Sequence, residues 1–140
     1  MAARSESDEH YVLNLCDDIL GVRASRQHRF EWLRGDLSPK SGTQSYLPVD
    51  GFYEPLNLVV EFAERQHNAP VKLFDQRQTV SGVSRGEQRR IYDERRVELI
   101  PQHGLRLVVI PAAAFVLKRH RIVREWERDL QIVRSLVTAE

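Results

Sequence analysis

Asp50 and Glu61 flank a Glu54-Pro55-Leu56-Asn57 break that can turn the chain back on itself. If the break is a four-residue turn centred between Pro55 and Leu56, Asp50 falls directly opposite Glu61, and directly opposed residues of an antiparallel pair share a face. Two acids held on neighbouring strands are the simplest rigid scaffold for a hard divalent cation, which prefers carboxylate oxygens. Such an ion, Mg²⁺ or Mn²⁺, suits phosphodiester hydrolysis, because it can hold a phosphoryl oxygen and lower the pKa of an attacking water. The same acids also suit the polar side of a half-exposed hairpin. Their setting favours the site, since Val59-Val60-Glu61-Phe62-Ala63 embeds one carboxylate in an apolar strand, where an unpaired charge is costly.

A second group is cationic. Asp93 stands among Arg89, Arg90 and Arg96 at three- and four-residue spacings, which pair acid and base along a helix face or leave arginines for phosphate contacts. Arginine makes up 18 of the 21 basic residues, a bias that suits bidentate phosphate binding and that a GC-rich coding sequence produces equally well. The net charge is only +1, so attraction to nucleic acid must be local. Cys16, the single cysteine, falls in an apolar pattern and reads as core in a reducing compartment.

These side chains need elements to hold them. Val12, Leu15, Cys16, Ile19 and Leu20 recur at helical spacing before Gly21, which predicts a first helix over Asp8 to Leu20. Ser25 as a cap, with Phe30 and Leu33 ahead of Gly35, predicts a second. A loop follows to Ser45, then a hairpin of Tyr46 to Tyr53 and Leu58 to Ala63. Asn68 to Val83 reads as an irregular excursion. Ser84-Arg-Gly-Glu87 is a capping box, opening a helix that carries Ile91, Tyr92, Val97 and Leu99 and stops near Pro101 to Gly104. Leu105 to Ile110 reads as a buried strand reached by a crossover, and Ala113 to Val137 as one long amphipathic helix whose apolar stripe includes Trp126.

The order of an acid pair on a hairpin, Gln66-His67 after it, Asp93 on the next helix and the buried run Leu105 to Ile110 resembles the PD-(D/E)xK restriction-endonuclease-like superfamily. The likeness is to its branch with the EDxHD pattern, akin to very-short-patch repair and phage homing endonucleases, and it covers about Ser25 to Ile110. It implies an α/β fold with a restriction-endonuclease-like core, a mixed β-sheet with flanking helices. It also implies Asp50 as the central metal ligand, Glu61 at the second position, His67 as general acid, base or metal neighbour, and Asp93 as the helical acid that assists it. The leading Glu, expected on the preceding helix, corresponds to Glu31, with Gln27 placed as well. Ala63 stands where the family's Lys is usual, and Arg65, Arg89 or Arg96 could supply its charge, although arginine does not exchange protons at working pH. His67 lies six residues beyond Glu61, roughly 20 Å along a straight strand, so the chain must bend near Glu64 to bring them together.

The 140 residues, 41% hydrophobic and 29% charged, fit one domain. It divides into a helical extension over 1–24, a core over 25–110 and a C-terminal helix over 111–140. The first residues lack the apolar run of a secretion signal and no stretch is apolar enough to span a bilayer, so the expectation is a cytoplasmic protein without a membrane. The resulting expectation is a metal-dependent endonuclease that acts on DNA in preference to RNA, with Arg65, Arg89, Arg90 and Arg96 as nucleic-acid contacts and a homodimer as a possible assembly. The alternative is a catalytically inactive nucleic-acid- or protein-binding module on the same fold.

Overall fold

The computed structural model describes residues 7–64 and 82–138. Arg65, His67 and most of the expected excursion lie outside the described residues. Helix α1 (Asp8–Leu20) begins where the Ser7 hydroxyl accepts the His10 N–H at 3.1 Å, and ends at Gly21, whose φ of 72° places it in the left-handed region. Asp8 and Glu9 occupy its first turn, where carboxylates favour the helix dipole.

The second expected helix does not form. Ser25–His28 is instead strand β1, and the chain then turns, with Arg34 bridging to Tyr46. His28, Phe30 and Trp32 recur at a period of two, and their rings pack on one another at centroid distances of 4.7 and 4.6 Å. That period belongs to extended chain, and it outweighs the short helical spacing of Phe30 and Leu33.

Strands β2 (Val49–Tyr53) and β3 (Leu58–Ala63) form the expected hairpin. A 3₁₀ turn over Glu54–Leu56 joins them, closed by Asn57 with a φ of 48°. Helix α2 (Arg85–Gln102), capped by the Ser84 hydroxyl on the Glu87 N–H, crosses to strand β4 (Arg106–Pro111). The sheet order is β1-β2-β3-β4, with β1/β2 and β2/β3 antiparallel and β3/β4 parallel. The expected buried strand is thus an edge strand: of its residues Ile110 is buried while Val109 is 44% exposed, because no further strand among the described residues covers that side. The molecule is therefore a mixed α/β structure with a four-stranded mixed sheet and flanking helices.

Alternation along the strands separates two cores. Tyr53, Leu58, Val60, Phe62 and Ile110 pack with α1 residues Val12, Leu13, Leu15 and Cys16. On the other face Phe52 and Val59 pack with Ile100 of α2, together with Leu33 and Val49. Each fully buried Val or Leu contributes about 1.5–3 kcal/mol. Gly51 allows the close approach of α1, for a Cβ there would lie 2.7 Å from the Leu13 side chain.

The long C-terminal helix is also corrected. Ala112–Ala114 is a 3₁₀ turn, Leu117–Lys118 (β5) and Arg121–Ile122 (β6) form a small hairpin, and only Trp126–Val137 is helical (α3). The Val116 carbonyl accepts the Val123 N–H at 2.7 Å and Ile122 is buried, so tertiary pairing replaces the helical stripe. Leu130, Val133 and Val137 of α3 bury against α1 and the sheet. Trp126 stays 40% exposed and meets Tyr11 edge-on at 5.9 Å, which makes it a partial anchor. No helix among the described residues is long and apolar enough to cross a membrane.

Candidate functional site

Val60 and Phe62 point into the α1 core, so alternation forces Glu61 to the opposite face, towards α2. The hairpin register Tyr53↔Leu58, Phe52↔Val59, Gly51↔Val60 continues one step to set Asp50 across from Glu61, as the turn reading expects. At that step the carboxylates themselves take up backbone donors of the facing strand. The Phe62 N–H donates to Asp50 Oδ2 at 2.7 Å, and the Asp50 N–H donates to Glu61 Oε2 at 2.6 Å. These crossed bonds fix both side chains and leave Asp50 Oδ1 and Glu61 Oε1 without a backbone donor.

The pair lies in a cleft of about 580 Å³ between the sheet and α2, whose walls include Glu9, Gln27, Asp93, Arg89, Arg96 and the apolar Val97 and Val109. Burial is the main cause that pushes the Asp50 carboxyl from 3.8 up to about 7, and the neighbouring charge of Glu61 adds to it. Burial also raises Glu61, against the pull of the Asp50 N–H and the Arg96 guanidinium. Two carboxylates that resist ionising side by side are a local electrostatic demand for a cation.

From β1, Gln27 sends its amide to Glu9 Oε2 at 2.8 Å and, more weakly, to Asp50 Oδ1 at 3.4 Å. Its φ is 50° although it lies within a strand, a conformation that costs about 1–3 kcal/mol for a side-chain-bearing residue. Arg26 beside it is tied to α1 through Asn14 and Asp17, both at 2.8 Å. That anchor holds the strained backbone and aims Gln27 into the cleft.

From α2, Arg96 Nε lies 3.4 Å from Glu61 Oε1 and its Nη1 pairs with Asp93 at 2.9 Å. The Nε is buried and makes no hydrogen bond among the described residues. A buried N–H that is ion-paired to Glu61 but not hydrogen-bonded carries a desolvation cost, which an incoming anionic oxygen in better geometry would reduce. Arg89 also lines the cleft.

The structure thus brings together Asp50, Glu61, Asp93, Arg89 and Arg96. It does not bring Glu31 to them: no helix carries that residue, and its exposed carboxylate pairs with Arg34 and accepts from the Tyr46 hydroxyl at 2.8 Å. Arg90 is exposed and pairs with Glu87 and Glu94. Arg65 and His67 lie outside the described residues. Glu9, which the sequence reading did not single out, lines the cleft and, from the first turn of α1, accepts the amide of Gln27, the residue that also reaches Asp50. Nothing in its local pattern marks it, because its position follows from how α1 packs across the sheet.

The described residues contain no group of three or more His, Cys, Asp or Glu side chains set to hold a metal ion. Two carboxylates, each with one oxygen facing the cleft, nevertheless fit Mg²⁺, which keeps several waters and is commonly held by one or two carboxylates plus a substrate phosphate. Comparison of the chain with protein-family models, with curated proteins and with solved structures finds no match.

Proposed function

We propose that the protein is a divalent-metal-dependent endonuclease with a restriction-endonuclease-like core, acting on DNA in preference to RNA. The observation that carries the reading is the pair of buried carboxylates, Asp50 and Glu61, locked across a hairpin by each other's backbone. The acid hairpin, the acid and arginines on the next helix and the parallel strand after it follow the order that the PD-(D/E)xK resemblance implies, with that strand at the sheet edge and half-exposed.

A bound Mg²⁺ or Mn²⁺ would supply Lewis acidity to a phosphoryl oxygen and to the attacking water. Asp50 and Glu61 would hold it through Oδ1 and Oε1. Gln27 keeps Asp50 oriented from one side, and the Phe62 N–H keeps it oriented from the other. Arg96 offers its buried Nε–H to an anionic oxygen beside Glu61, and Asp93 holds the far end of that guanidinium. Arg89 extends the positive wall of the cleft.

The test is nicking of supercoiled plasmid and cleavage of short DNA and RNA duplexes with Mg²⁺ or Mn²⁺ against EDTA. Asp50→Asn and Glu61→Gln should each abolish metal-dependent cleavage in a folded protein. Cleavage at the parent rate by either variant refutes the site.

One observation favours a second reading, a binding module without catalysis. Ala63 occupies the position usual for Lys, and Arg96 beside Glu61 already supplies a fixed positive charge that cannot take part in proton transfer. Calorimetric titration with Mn²⁺ separates the two, since the module would bind nucleic acid with no ion taken up at Asp50 and Glu61.

A further inference from the structure

We propose that the β5–β6 hairpin is a nucleic-acid-gripping arm that takes the phosphate backbone of the strand seated in the cleft. The proposal rests on the nuclease reading for its choice of partner, and the hairpin's own geometry carries the rest. Its four successive residues Lys118, Arg119, His120 and Arg121 are all exposed, and β5 pairs with β6 alone, outside the main sheet.

The turn is made by Arg119 and His120, with φ of 53° and 66°. Two consecutive left-handed residues define the tight hairpin turn that strongly prefers Asn-Gly. Histidine is tolerated there but arginine is uncommon, so the turn presents a cation where a smaller residue would fold more easily. Local strain of this kind is a pointer to function.

The base of the arm is clamped. Asp8 Oδ2 accepts the Ile122 N–H at 3.0 Å, Arg124 reaches Asp8 Oδ1 at 3.4 Å, and the Arg124 guanidinium lies 4.6 Å over the Tyr11 ring. Asp8 therefore holds the arm while its chain neighbour Glu9 lines the cleft, their Cα atoms ~3.8 Å apart. Each strand of a duplex presents a phosphate about every 3.4 Å of helix axis, so a strand lying against Glu9 has further phosphates within reach of the arm's base at Asp8. The flanking Val116, Leu117 and Val123 are exposed as well, a mixture that an anionic lipid surface could also accept. The adjacent acidic cleft, suited to a phosphodiester, decides for nucleic acid.

The experiment measures binding by fluorescence anisotropy, in EDTA, to a labelled DNA duplex of roughly two helical turns. The parent is compared with Lys118→Gln/Arg119→Asn/His120→Gly, which removes two charges and relieves the turn, so the fold is retained or strengthened. Loss of two phosphate contacts should make the plot of log affinity against log salt shallower by about 1.8. Taking the lines to converge at about 1 M, that is about 60-fold weaker binding at 0.1 M salt. Should that variant fail to fold, Lys118→Gln alone carries the test, with a slope change of about 0.9. An unchanged slope and affinity overturn the arm. So does a parent that binds phosphatidylserine vesicles and not duplex. Failure of the nuclease reading looks different, as arm-dependent binding in EDTA with no cleavage in Mg²⁺.

Discussion

Replacing Asp50 by Asn should stabilise the metal-free protein at alkaline pH while removing the proposed metal-dependent cleavage. The groups facing Asp50 are Glu61 and the Phe62 N–H from β3, Gln27 from β1 and Glu9 from α1, with Arg96 and Asp93 of α2 beyond Glu61. Its carboxyl is raised from 3.8 to about 7, by burial first and by Glu61 second. A group whose folded value is raised contributes its stability below the unfolded value and loses it as pH climbs through the folded one. The loss for Asp50 therefore runs from about pH 4 to pH 7. At about 1.4 kcal/mol per pH unit, the ceiling is about 4 kcal/mol. Asn keeps an acceptor for the Phe62 N–H but a weaker, neutral one, which returns about 1 kcal/mol. The net gain for Asp50→Asn at pH 8 in EDTA is then about 2–3 kcal/mol. With a urea slope of ~2 kcal/mol/M, its midpoint should rise by about 1–1.5 M, and the two proteins should converge below pH 4. Excess Mg²⁺ should recover the parent by about 2.7 kcal/mol at a hundredfold its dissociation constant, and leave the variant unmoved. A variant less stable than the parent at pH 8, or a difference between them that does not change with pH, refutes the account of the site.

Arg96→Gln removes the guanidinium that opposes the rise of the Glu61 carboxyl, so the ascending limb of the pH–rate profile for cleavage should move to higher pH. Gly51→Ala forces a Cβ to within 2.7 Å of Leu13 and should cost about 1–3 kcal/mol in urea unfolding. Tyr11→Phe deletes the hydroxyl that donates at 2.5 Å to the fully buried Asp129. Asp129 keeps the Glu125 N–H at 3.0 Å, and a destabilisation of about 1–3 kcal/mol is expected from thermal or urea unfolding.

Local patterns were sufficient where neighbours in sequence make the structure. The first helix is written in the apolar spacing of Val12 to Leu20 with Gly21 at its end, and α2 in the Ser84 to Glu87 box, because caps act within one turn. The facing of Asp50 and Glu61 was legible too, since a short turn and a period of two leave one register that buries Val60 and Phe62. Other features depended on partners remote in sequence. Ser25 to His28 became a strand because the β2 edge was there to pair with it, and the C-terminal stretch broke into a hairpin and a shorter helix because Asp8 and Val116 offered the backbone partners that a single helix would have made internally. Glu9, Gln27 and Arg96 reach the acid pair only because α1, β1 and α2 pack around one end of the hairpin. A periodicity says which face of an element is apolar, but where its polar face points is decided by the packing of distant elements, and that information exists only once the chain has folded.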